Sequence, residues 1–332
     1  MNKKITLAHG SGGKLSHELI CNFTKIIGNK ILNELDDSAV FTIGQNKVAF
    51  TTDSYVVNPI FFPGGDIGKL AVCGTVNDLA VCGAKPLFIS SSLIIEEGLE
   101  KEILDKILLS MNKCAKEANV RIVTGDTKVV EKDSCDKIFI TTSGIGIINR
   151  NKNLSRKNIK PGDKILINGA IGDHGFSVIN AREKFGFKAG FISDVAPLND
   201  LIEKILTKDL KFMRDPTRGG IATTLNEFVE NANFGIEIEE ERIPIKKEVI
   251  AMSEILGIDP LYMGNEGKVV AVVSAKSSKE VLKRMKSHRL GRKAAIIGTV
   301  TKENKGKVVL RTKVGTRRFV DMLTGEQLPR IC

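Results

Sequence analysis

One stretch in the first half of the chain limits the fold more than any other. From Leu70 to Ala84 the residues are mostly apolar and include a single charged side chain, Asp78. The stretch lies in a predicted helix, Asp66 to Gly83, which follows the pair Gly64-Gly65. A carboxylate in so apolar a segment is costly to strip of water unless a partner or a cation compensates. We therefore expect a positive charge beside Asp78.

Aspartates recur at or near the ends of apolar segments throughout this half. The four motifs are Asp36-Asp37-Ser38-Ala39-Val40, Thr51-Thr52-Asp53, Asn77-Asp78-Leu79 and Gly125-Asp126-Thr127. Carboxylates that converge on one point would form an oxygen cage suited to Mg²⁺, which binds through few carboxylates and keeps sites for phosphate oxygens. Any one of these aspartates could instead be a helix cap or a turn residue. Because four such motifs occur in one half of the chain, caps and turns explain them less well than a shared site does.

The chain of 332 residues is longer than one core usually organises, which predicts two domains. Apolar periodicity predicts strands at residues 48–52, 87–95, 120–123, 138–148, 164–168, 268–274 and 294–300. Helices are predicted at residues 66–83, 99–118, 220–231 and 277–288, and after the turn through Gly169, Gly172 and Gly175. A polar stretch from Asn149 to Lys160 indicates the junction. The predicted units are 1–155, 156–320 and a flexible tail, 321–332.

Composition predicts an ordinary soluble protein, with 42% hydrophobic and 27% charged residues. No apolar run approaches the roughly 20 residues of a membrane helix, and the start lacks the apolar stretch of a signal peptide. We therefore expect no membrane partner and a cytoplasmic location. The six cysteines form no CxxC pair, so neither a zinc site nor a disulfide framework is expected.

The net charge of +11 is concentrated near the C-terminus. Residues 276–318 contain 15 Lys or Arg and two acids, a balance of +13, so the rest of the chain sums to −2. The chain has no Trp, two Tyr and no recognition module, and these features argue against nucleic-acid binding. The excess instead predicts a solvated basic surface that could dock an acidic partner.

Two glycine-rich segments could approach phosphates. His9-Gly10-Ser11-Gly12-Gly13-Lys14 offers backbone amides and a lysine, but it is not a P-loop and no strand precedes it. The segment from Gly169 to Gly175 lacks the spacing of a dinucleotide fingerprint. Taken alone, each segment is a loop rather than a ligand site.

The sequence ends with Pro329-Arg330-Ile331-Cys332. A cysteine here hangs on the tail before it and could enter another site as a tethered substrate does. The twelve residues of the tail could span roughly 40 Å if extended. The alternative is an exposed thiol at a frayed chain end.

The aspartate motifs, with Gly65-Asp66-Ile67-Gly68, resemble the ATP-binding superfamily of aminoimidazole ribonucleotide synthetase, selenophosphate synthetase and thiamine-monophosphate kinase. Within it, further motifs resemble the HypE family of hydrogenase maturation proteins. They are His9-Gly10-Ser11-Gly12-Gly13-Lys14, Gly125-Asp126-Thr127-Lys128-Val129-Val130, Asp215-Pro216-Thr217-Arg218-Gly219-Gly220, Gly264-Asn265-Glu266-Gly267-Lys268 and the ending Pro329-Arg330-Ile331-Cys332. This match extends from residue 7 to residue 332, and the ending is its most specific part.

The resemblance implies a reaction. In HypE proteins the partner HypF S-carbamoylates the terminal cysteine, and HypE uses ATP to dehydrate the resulting thiocarboxamide to a thiocyanate. The cyano group then passes to iron on the HypC-HypD complex. Carried over to this sequence, the acceptor is Cys332, Glu266 accepts the proton, and Lys128 steadies the oxygen or the phosphate.

The resemblance also implies a Mg-ATP site. Its metal ligands would be Asp37, Asp53, Asp78 and Asp126. Its other cofactor-binding residues would be Lys14, Asp36, Asn77, Gly125, Thr127 and Asp215.

The predicted fold class is α+β, with two α/β-sandwich domains that each have a mixed sheet covered by helices. By resemblance, the N-terminal sheet should pair with its mate in a homodimer. Two alternatives stay open. One is a related ATP-dependent synthetase or kinase that activates an amide oxygen or selenide, which would leave Cys332 unexplained. The other is a non-catalytic scaffold, which Mg²⁺-dependent ATP hydrolysis that requires carbamoylated Cys332 would exclude.

Overall fold

Two mixed β-sheets, one in each half of the chain, organise the protein. The computed structural model describes residues 4–149, 154–183 and 190–325. The first half contains helices α1 (Lys14–Ile27), α2 (Ile67–Val81) and α3 (Lys101–Glu117), and strands β1 (Ala39–Ile43), β2 (Asn46–Tyr55), β3 (Phe61–Phe62), β4 (Gly65–Asp66), β5 (Ala84–Glu96), β6 (Arg121–Val130) and β7 (Ile138–Ile148). Five of these strands form a sheet in the order β1-β2-β7-β5-β6, in which only β5 and β6 are parallel.

The second half has a seven-stranded sheet. Its strands are β8 (Lys164–Ile167), β9 (Leu210–Arg214), β10 (Gly235–Glu239), β11 (Val270–Val273), β12 (Ala295–Thr301), β13 (Val308–Arg311) and β14 (Arg317–Phe319). Its helices are α4 (Asp173–Glu183), α5 (Asn199–Ile205), α6 (Gly220–Val229), α7 (Lys247–Leu256) and α8 (Ser278–Lys286). The order is β14-β13-β10-β12-β8-β11-β9, with β10 and β13 parallel. The predicted class, α+β with mixed sheets, is confirmed.

Helix α2 lies at the centre of the first domain. Almost every residue of α2 is buried, because one side packs on the sheet and α3 while Ala80 and Val81 pack against α5 and β9 of the second domain. Asp66 caps its N-terminus by accepting hydrogen bonds from the amides of Gly68 and Lys69 at 2.8 and 3.0 Å. The apolar stretch thus forms the predicted buried helix, and Asp66 is its cap.

Two strands extend beyond their predicted ends. Strand β2 continues through Asp53 to Tyr55, and β6 continues through Gly125-Asp126-Thr127 to Val130. Both aspartates therefore lie within strands rather than after them. Helix α4 also differs from its prediction, because it begins at Asp173 and so includes Gly175.

Both ends of the described chain meet. The Lys14 amide donates to the Leu323 carbonyl oxygen at 2.7 Å, and Ser11 Oγ lies 3.4 Å from the Gly325 carbonyl oxygen. A Cβ on Gly13 would stand 2.2 Å from the Leu323 oxygen, so only glycine permits this contact. The first residues of the predicted tail are therefore held in place, whereas residues 326–332 lie outside the described residues.

The basic C-terminal segment is less free than predicted. Seven of its 15 basic side chains pair with carboxylates at 4 Å or less: Lys276–Asp209, Arg284–Glu280, Arg289–Glu117, Lys307–Asp321, Arg311–Glu239, Arg317–Glu237 and Arg318–Asp259. Such exposed pairs contribute little to stability. They do neutralise much of the field that an acidic partner would meet.

In the described part of the chain, no helix combines the length and the apolar character needed to cross a bilayer. The Cys73 and Cys114 sulfur atoms, both buried, lie 3.2 Å apart as free thiols.

Candidate active site

Asp78 projects from α2 toward the inner face of the first sheet. Its Oδ2 atom lies 2.8 Å from the hydroxyl of Thr51 on β2, and that hydroxyl also lies 2.9 Å from the Asp37 carbonyl oxygen. Burial and then the negative charges of Asp215, Asp37 and Asp53 raise the pKa of Asp78 well above its ordinary value. The expected positive charge beside Asp78 stays a prediction, which a cation bound at this site would meet. The Thr51 hydroxyl that contacts Asp78 is neutral, and the charges that act most strongly on Asp78 are those of carboxylates.

A buried arginine, Arg214, forms an ion pair with the nearby Asp37. Arg214 Nε lies 2.9 Å from Asp37 Oδ1, and Arg214 Nη1 lies 2.5 Å from Glu227 Oε2. The remaining guanidinium nitrogen donates to the Leu35 carbonyl oxygen at 2.5 Å. Arg214 ends β9, so this fork joins the second domain to the loop before β1. Of Asp37 and Asp78, it is Asp37 with which Arg214 pairs.

Two of the carboxylates near Asp78, Asp37 and Asp215, also have raised pKa values. Burial raises the pKa of Asp37 to about 8. Arg214 opposes this shift, and the charges of Asp215, Glu227 and Asp36 add to it. Burial raises the pKa of Asp215 to about 6, with Asp53 and Glu227 adding to the shift. We call Asp37, Asp53, Asp78, Asp215 and Glu266 the carboxylate cluster.

Glu266 enters the cluster from the loop that precedes β11. Burial raises its pKa well above its ordinary value, and the charges of Asp215, Asp194 and Asp53 raise it further while Arg218 opposes them. The loop has no regular secondary structure. Its position depends on contacts with Asp194, Lys268 and Asn77.

The donor set of the cluster suits a hard divalent cation. Desolvated carboxylates with strongly raised proton affinity and too little positive charge are stabilised by such an ion. Within residues 4–149, 154–183 and 190–325, no three His, Cys, Asp or Glu side chains form a ready-made metal-binding group. A cation held here would need further oxygen ligands, which phosphate groups can supply.

Asp126 and Lys128 do not join the cluster. In the sheet, Asp126 pairs with Ser92, Ser92 with Thr141, and Thr141 with Ser54. Successive side chains of a strand alternate between faces, so Asp126 projects from the outer face of the sheet while Asp53 projects from the inner face. Three strand spacings, about 14 Å, also separate them along the sheet.

On that outer face the two residues contact each other. Lys128 Nζ lies 3.1 Å from Asp126 Oδ2, and both side chains are more than half exposed. The hydrogen bond from Lys128 lowers the pKa of Asp126. The sequence grouped Asp126 with Asp37, Asp53 and Asp78, but one protomer does not bring it to them, because its strand lies at the other edge of the sheet.

Asn77 connects the two domains through hydrogen bonds, so its side-chain amide is not available to bind a nucleotide. Its Nδ2 donates to the carbonyl oxygens of Ala196 and Glu266 at 3.2 and 3.3 Å, and its Oδ1 accepts from the Leu198 amide at 2.8 Å. The protein backbone therefore occupies both ends of this buried amide. The nucleotide-binding prediction for Asn77 conflicts with this arrangement.

The remaining predicted residues have different positions. Asp36 precedes β1, and burial raises its pKa while Arg214 opposes the shift. Lys14 begins α1, and Gly125 and Thr127 lie on β6. Cys332 lies outside the described residues.

Sequence reasoning missed several residues that shape the site. Arg214, Glu227, Thr51, Asp194 and Lys268 all contact cluster residues or the Glu266 loop. A usable signal existed for three of them, since Arg214 directly precedes Asp215, Thr51 belongs to the motif that contains Asp53, and Lys268 belongs to the motif that contains Glu266.

Family models place the two domains in a known class. Residues 35–148 match the AIR synthase related protein, N-terminal domain, and residues 160–311 match the AIR synthase related protein, C-terminal domain. These matches define the class as AIR synthase related proteins.

Individual relatives narrow the class to one family. The chain is 46% identical to the carbamoyl dehydratase HypE of Bradyrhizobium diazoefficiens, with 100% of this chain and 97% of the relative covered. A crystal structure of a HypE-HypF complex contains a chain 50% identical to this one, with a TM-score of 0.88 and with 94% and 100% covered. A crystal structure of the hydrogenase maturation protein HypE in complex with ATP is 44% identical, with a TM-score of 0.83 and 98% of both chains covered. The chain belongs to the HypE family.

Proposed function

We propose that this protein uses ATP to dehydrate a carbamoyl group on the sulfur of Cys332, giving a thiocyanate that supplies the cyanide ligand of a NiFe-hydrogenase iron. The observation that carries the proposal is the cluster of Asp37, Asp53, Asp78 and Asp215 beside Glu266, in a chain of the HypE family. An anionic nucleotide needs a cation at such a cluster, and a base beside it suits proton removal. The name of the relative, carbamoyl dehydratase, supports the same reaction.

The chemistry follows from the poor leaving ability of an amide oxygen. Transfer of the γ-phosphoryl group of ATP to that oxygen gives ADP, and the oxygen then leaves as phosphate when its carbon–oxygen bond breaks. The nitrogen loses two protons, and the carbon–nitrogen bond becomes triple. Glu266 is the proposed acceptor of a proton, because it is a buried carboxylate beside the cluster. Burial raises its pKa, and a cation bound at the cluster would favour the ionised form that can accept a proton.

Asp37, Asp53 and Asp78 would hold Mg²⁺ on the inner face of the sheet, with Asp215 beside them. When bound, the ion neutralises charge on the phosphates and withdraws electrons from the transferring group. The protein's own contribution is to keep these carboxylates close and largely dry before nucleotide arrives. Arg214 does this for Asp37 by holding it against the second domain.

Asp126 and Lys128 would act across a homodimer. The outer face of the first sheet carries exposed apolar side chains, among them Ile43, Phe50, Ile94 and Ile147, each at least 40% exposed. An apolar patch of this kind favours burial against another surface. If the outer faces of two copies pack together, Asp126 and Lys128 lie in the interface, and they would act on the part of the partner's nucleotide that extends beyond the inner face of its sheet.

A substitution tests this dimer. Ile94→Asp places a charge in the proposed interface and should convert the protein to monomers, as measured by sedimentation or light scattering. The matched control is Leu109→Asp on α3, since Leu109 is an apolar side chain 67% exposed away from this sheet face. A dimer that survives Ile94→Asp would contradict the proposed interface.

The chain geometry is compatible with Cys332 as an internal substrate. Leu323 is bound to Lys14, and the neighbouring Gly12 packs against Arg218, whose charge acts on Glu266. Cys332 is the seventh residue after Gly325, a reach of about 25 Å at most. The described part of the tail is therefore connected to Glu266 of the cluster through Lys14, Gly12 and Arg218.

The proposed partners are a HypF carbamoyltransferase, which would load Cys332, and a HypC-HypD complex, which would receive the cyano group. The solved HypE-HypF complex supports the first partner. The second partner and the cytoplasmic location stay predictions from the sequence.

Intact-mass analysis tests the whole proposal. After incubation with HypF, carbamoyl phosphate and ATP, the C-terminal peptide should gain one carbamoyl group and then lose one water. Cys332→Ala should abolish the gain, whereas the control Cys135→Ala should not. Label on another cysteine, or a carbamoyl group that persists with Mg²⁺ and ATP present, would overturn the proposal.

A further inference from the structure

The loop that carries Glu266 is held by one buried ion pair. Asp194 Oδ1 accepts a hydrogen bond from the Glu266 amide at 3.3 Å, and Asp194 Oδ2 accepts one from the Gly267 amide at 3.2 Å. Lys268 Nζ lies 2.7 Å from the same Oδ2. One carboxylate therefore binds two consecutive amides and the ammonium group that follows them.

This ion pair is deeply buried. The side chains of Asp194 and Lys268 are only 5% and 9% exposed. A buried ion pair gives little net stability, since both ions lose their water, so fixing a geometry is a better reason for its presence. Here the geometry concerns three consecutive residues, Glu266, Gly267 and Lys268.

Close packing reinforces this geometry. A Cβ on Gly267 would stand 1.9 Å from the Asp194 carbonyl oxygen, so the two segments touch backbone to backbone. Asn77 holds the Glu266 carbonyl oxygen from the other side at 3.3 Å. The amide and the carbonyl group of Glu266 are thus both bound, which limits where its side chain can point.

We propose that Asp194, held by Lys268, is a positioning residue for Glu266 in the dehydration step. The inference rests on the proposed function of Glu266. Asp194 acts through the backbone of the loop, and it fixes the direction from which the Glu266 carboxylate meets the carbamoyl nitrogen. Misplacing a catalytic group by about 1 Å can cost on the order of 10²-fold in rate.

The test is a double-mutant cycle on the carbamoylated protein. Single-turnover conversion to thiocyanate is followed by intact mass in the parent, Asp194→Asn, Glu266→Gln and the double variant, with the affinity for Mg-ATP measured beside it. Asp194→Asn should slow conversion about 10- to 100-fold without changing that affinity. It should add no further slowing in the Glu266→Gln background, because its effect passes through Glu266.

Two further variants guard against misfolding. Asp194→Asn leaves Lys268 buried and uncompensated, so Asp194→Leu with Lys268→Met removes both charges together and should fold yet convert slowly. Lys268→Arg keeps the cation and should retain most of the rate.

The control is Asp173→Asn. Asp173 also pairs with a lysine, Lys246, at 2.9 Å, but the hydrogen bonds that hold the Glu266 loop come from Asp194. It should convert at the parental rate.

Each outcome decides a separate question. If Asp194→Asn converts at the parental rate, or slows the Glu266→Gln variant as much as it slows the parent, the positioning role is wrong. If Glu266→Gln alone converts at the parental rate, the proposed role of Glu266 is wrong instead. A fully slowed Asp194→Leu/Lys268→Met variant that melts as the parent does would support the positioning role.

Discussion

Four aspartates that look alike in the sequence are divided between opposite faces of the first sheet. Asp37, Asp53 and Asp78 lie on the inner face, where α2 and the second domain cover them and Arg214 binds Asp37. Asp126 lies on the outer face and pairs with Lys128 in an exposed position. The three inner aspartates lie in a packed region of one chain. Asp126 and Lys128, in contrast, are mostly exposed to solvent.

This difference in burial indicates which residues could form a binding site within one protomer and which would need a second protomer. In our proposal the inner residues hold a cation and phosphates within a single protomer, because the pKa shifts of Asp37 and Asp215 arise from groups of the same chain. The outer pair can contribute only if another surface brings it to a nucleotide. A homodimer built on the outer faces would do so, and the predictions below depend on that contrast.

Mixed dimers give the largest expected effect. Asp78→Asn and Asp126→Asn should each abolish dehydration when purified separately. If Asp78 of one protomer works with Asp126 of its partner, a mixed dimer holds one intact site, so random reassociation should restore about a quarter of the parental rate. No recovery after mixing, with exchange of protomers verified by mass, would place both residues in the same protomer's site.

Glu266 and Lys128 should stop the reaction at the same stage from different faces. Glu266→Gln should bind Mg-ATP and accept a carbamoyl group but convert it about 10² to 10⁴ times more slowly, the usual loss for a positioned base. Lys128→Ala should stall because it no longer stabilises charge on the transferring phosphoryl group. In mixed dimers these two variants should also complement each other, and intact mass would follow the carbamoylated form.

Asp66 offers a control for Asp78 on the same helix. Asp78→Asn should abolish Mg-ATP binding in calorimetry and change folding only modestly. Asp66→Asn should leave the affinity unchanged and cost only a little stability, since Asp66 caps α2 and asparagine caps a helix about as well as aspartate does. Unchanged nucleotide affinity in Asp78→Asn would exclude Asp78 from the site.

The smallest effect concerns pH. Asp37 and Asp215 have pKa values of about 8 and about 6 in the folded protein, above the value of about 4 in an unfolded chain. Between about pH 4 and pH 8 the folded state therefore holds more protons, and the free energy of unfolding should fall as pH rises. Asp215→Asn should flatten this decline below pH 6, and Asp126→Asn should not alter it. A melting temperature that rises between pH 5 and pH 8 would contradict the raised pKa values.

Some features could be predicted from the sequence because they are local. The periodicity of α3, the apolar run of α2 and the strand β7 depend on neighbouring residues, and the structure has them within two residues of their predicted bounds. Strand β6 was predicted too short, because an exposed edge strand such as Arg121–Val130 lacks the burial pattern that marks a strand end.

The site was harder to predict, since its contacts are distant in sequence. The residues next to Arg214 and Asn77 do not indicate their partners. Arg214 binds Asp37 across 177 residues, and the side-chain amide of Asn77 donates a hydrogen bond to the backbone of the second domain. The motifs identified acidic residues with the chemistry for Mg-ATP, but motifs do not specify faces. The face of Asp126 follows from the pairing of β6 with β5, which only the fold provides.

The bond between Lys14 and Leu323 has a kinetic consequence. With Gly325 anchored and seven residues beyond it, the thiol of Cys332 stays within a sphere of about 25 Å radius, where its local concentration is about 25 mM. Conversion of a loaded chain should then be first order and independent of protein concentration. A free carbamoylated thiol would have to reach tens of millimolar before it could compete with the tethered one.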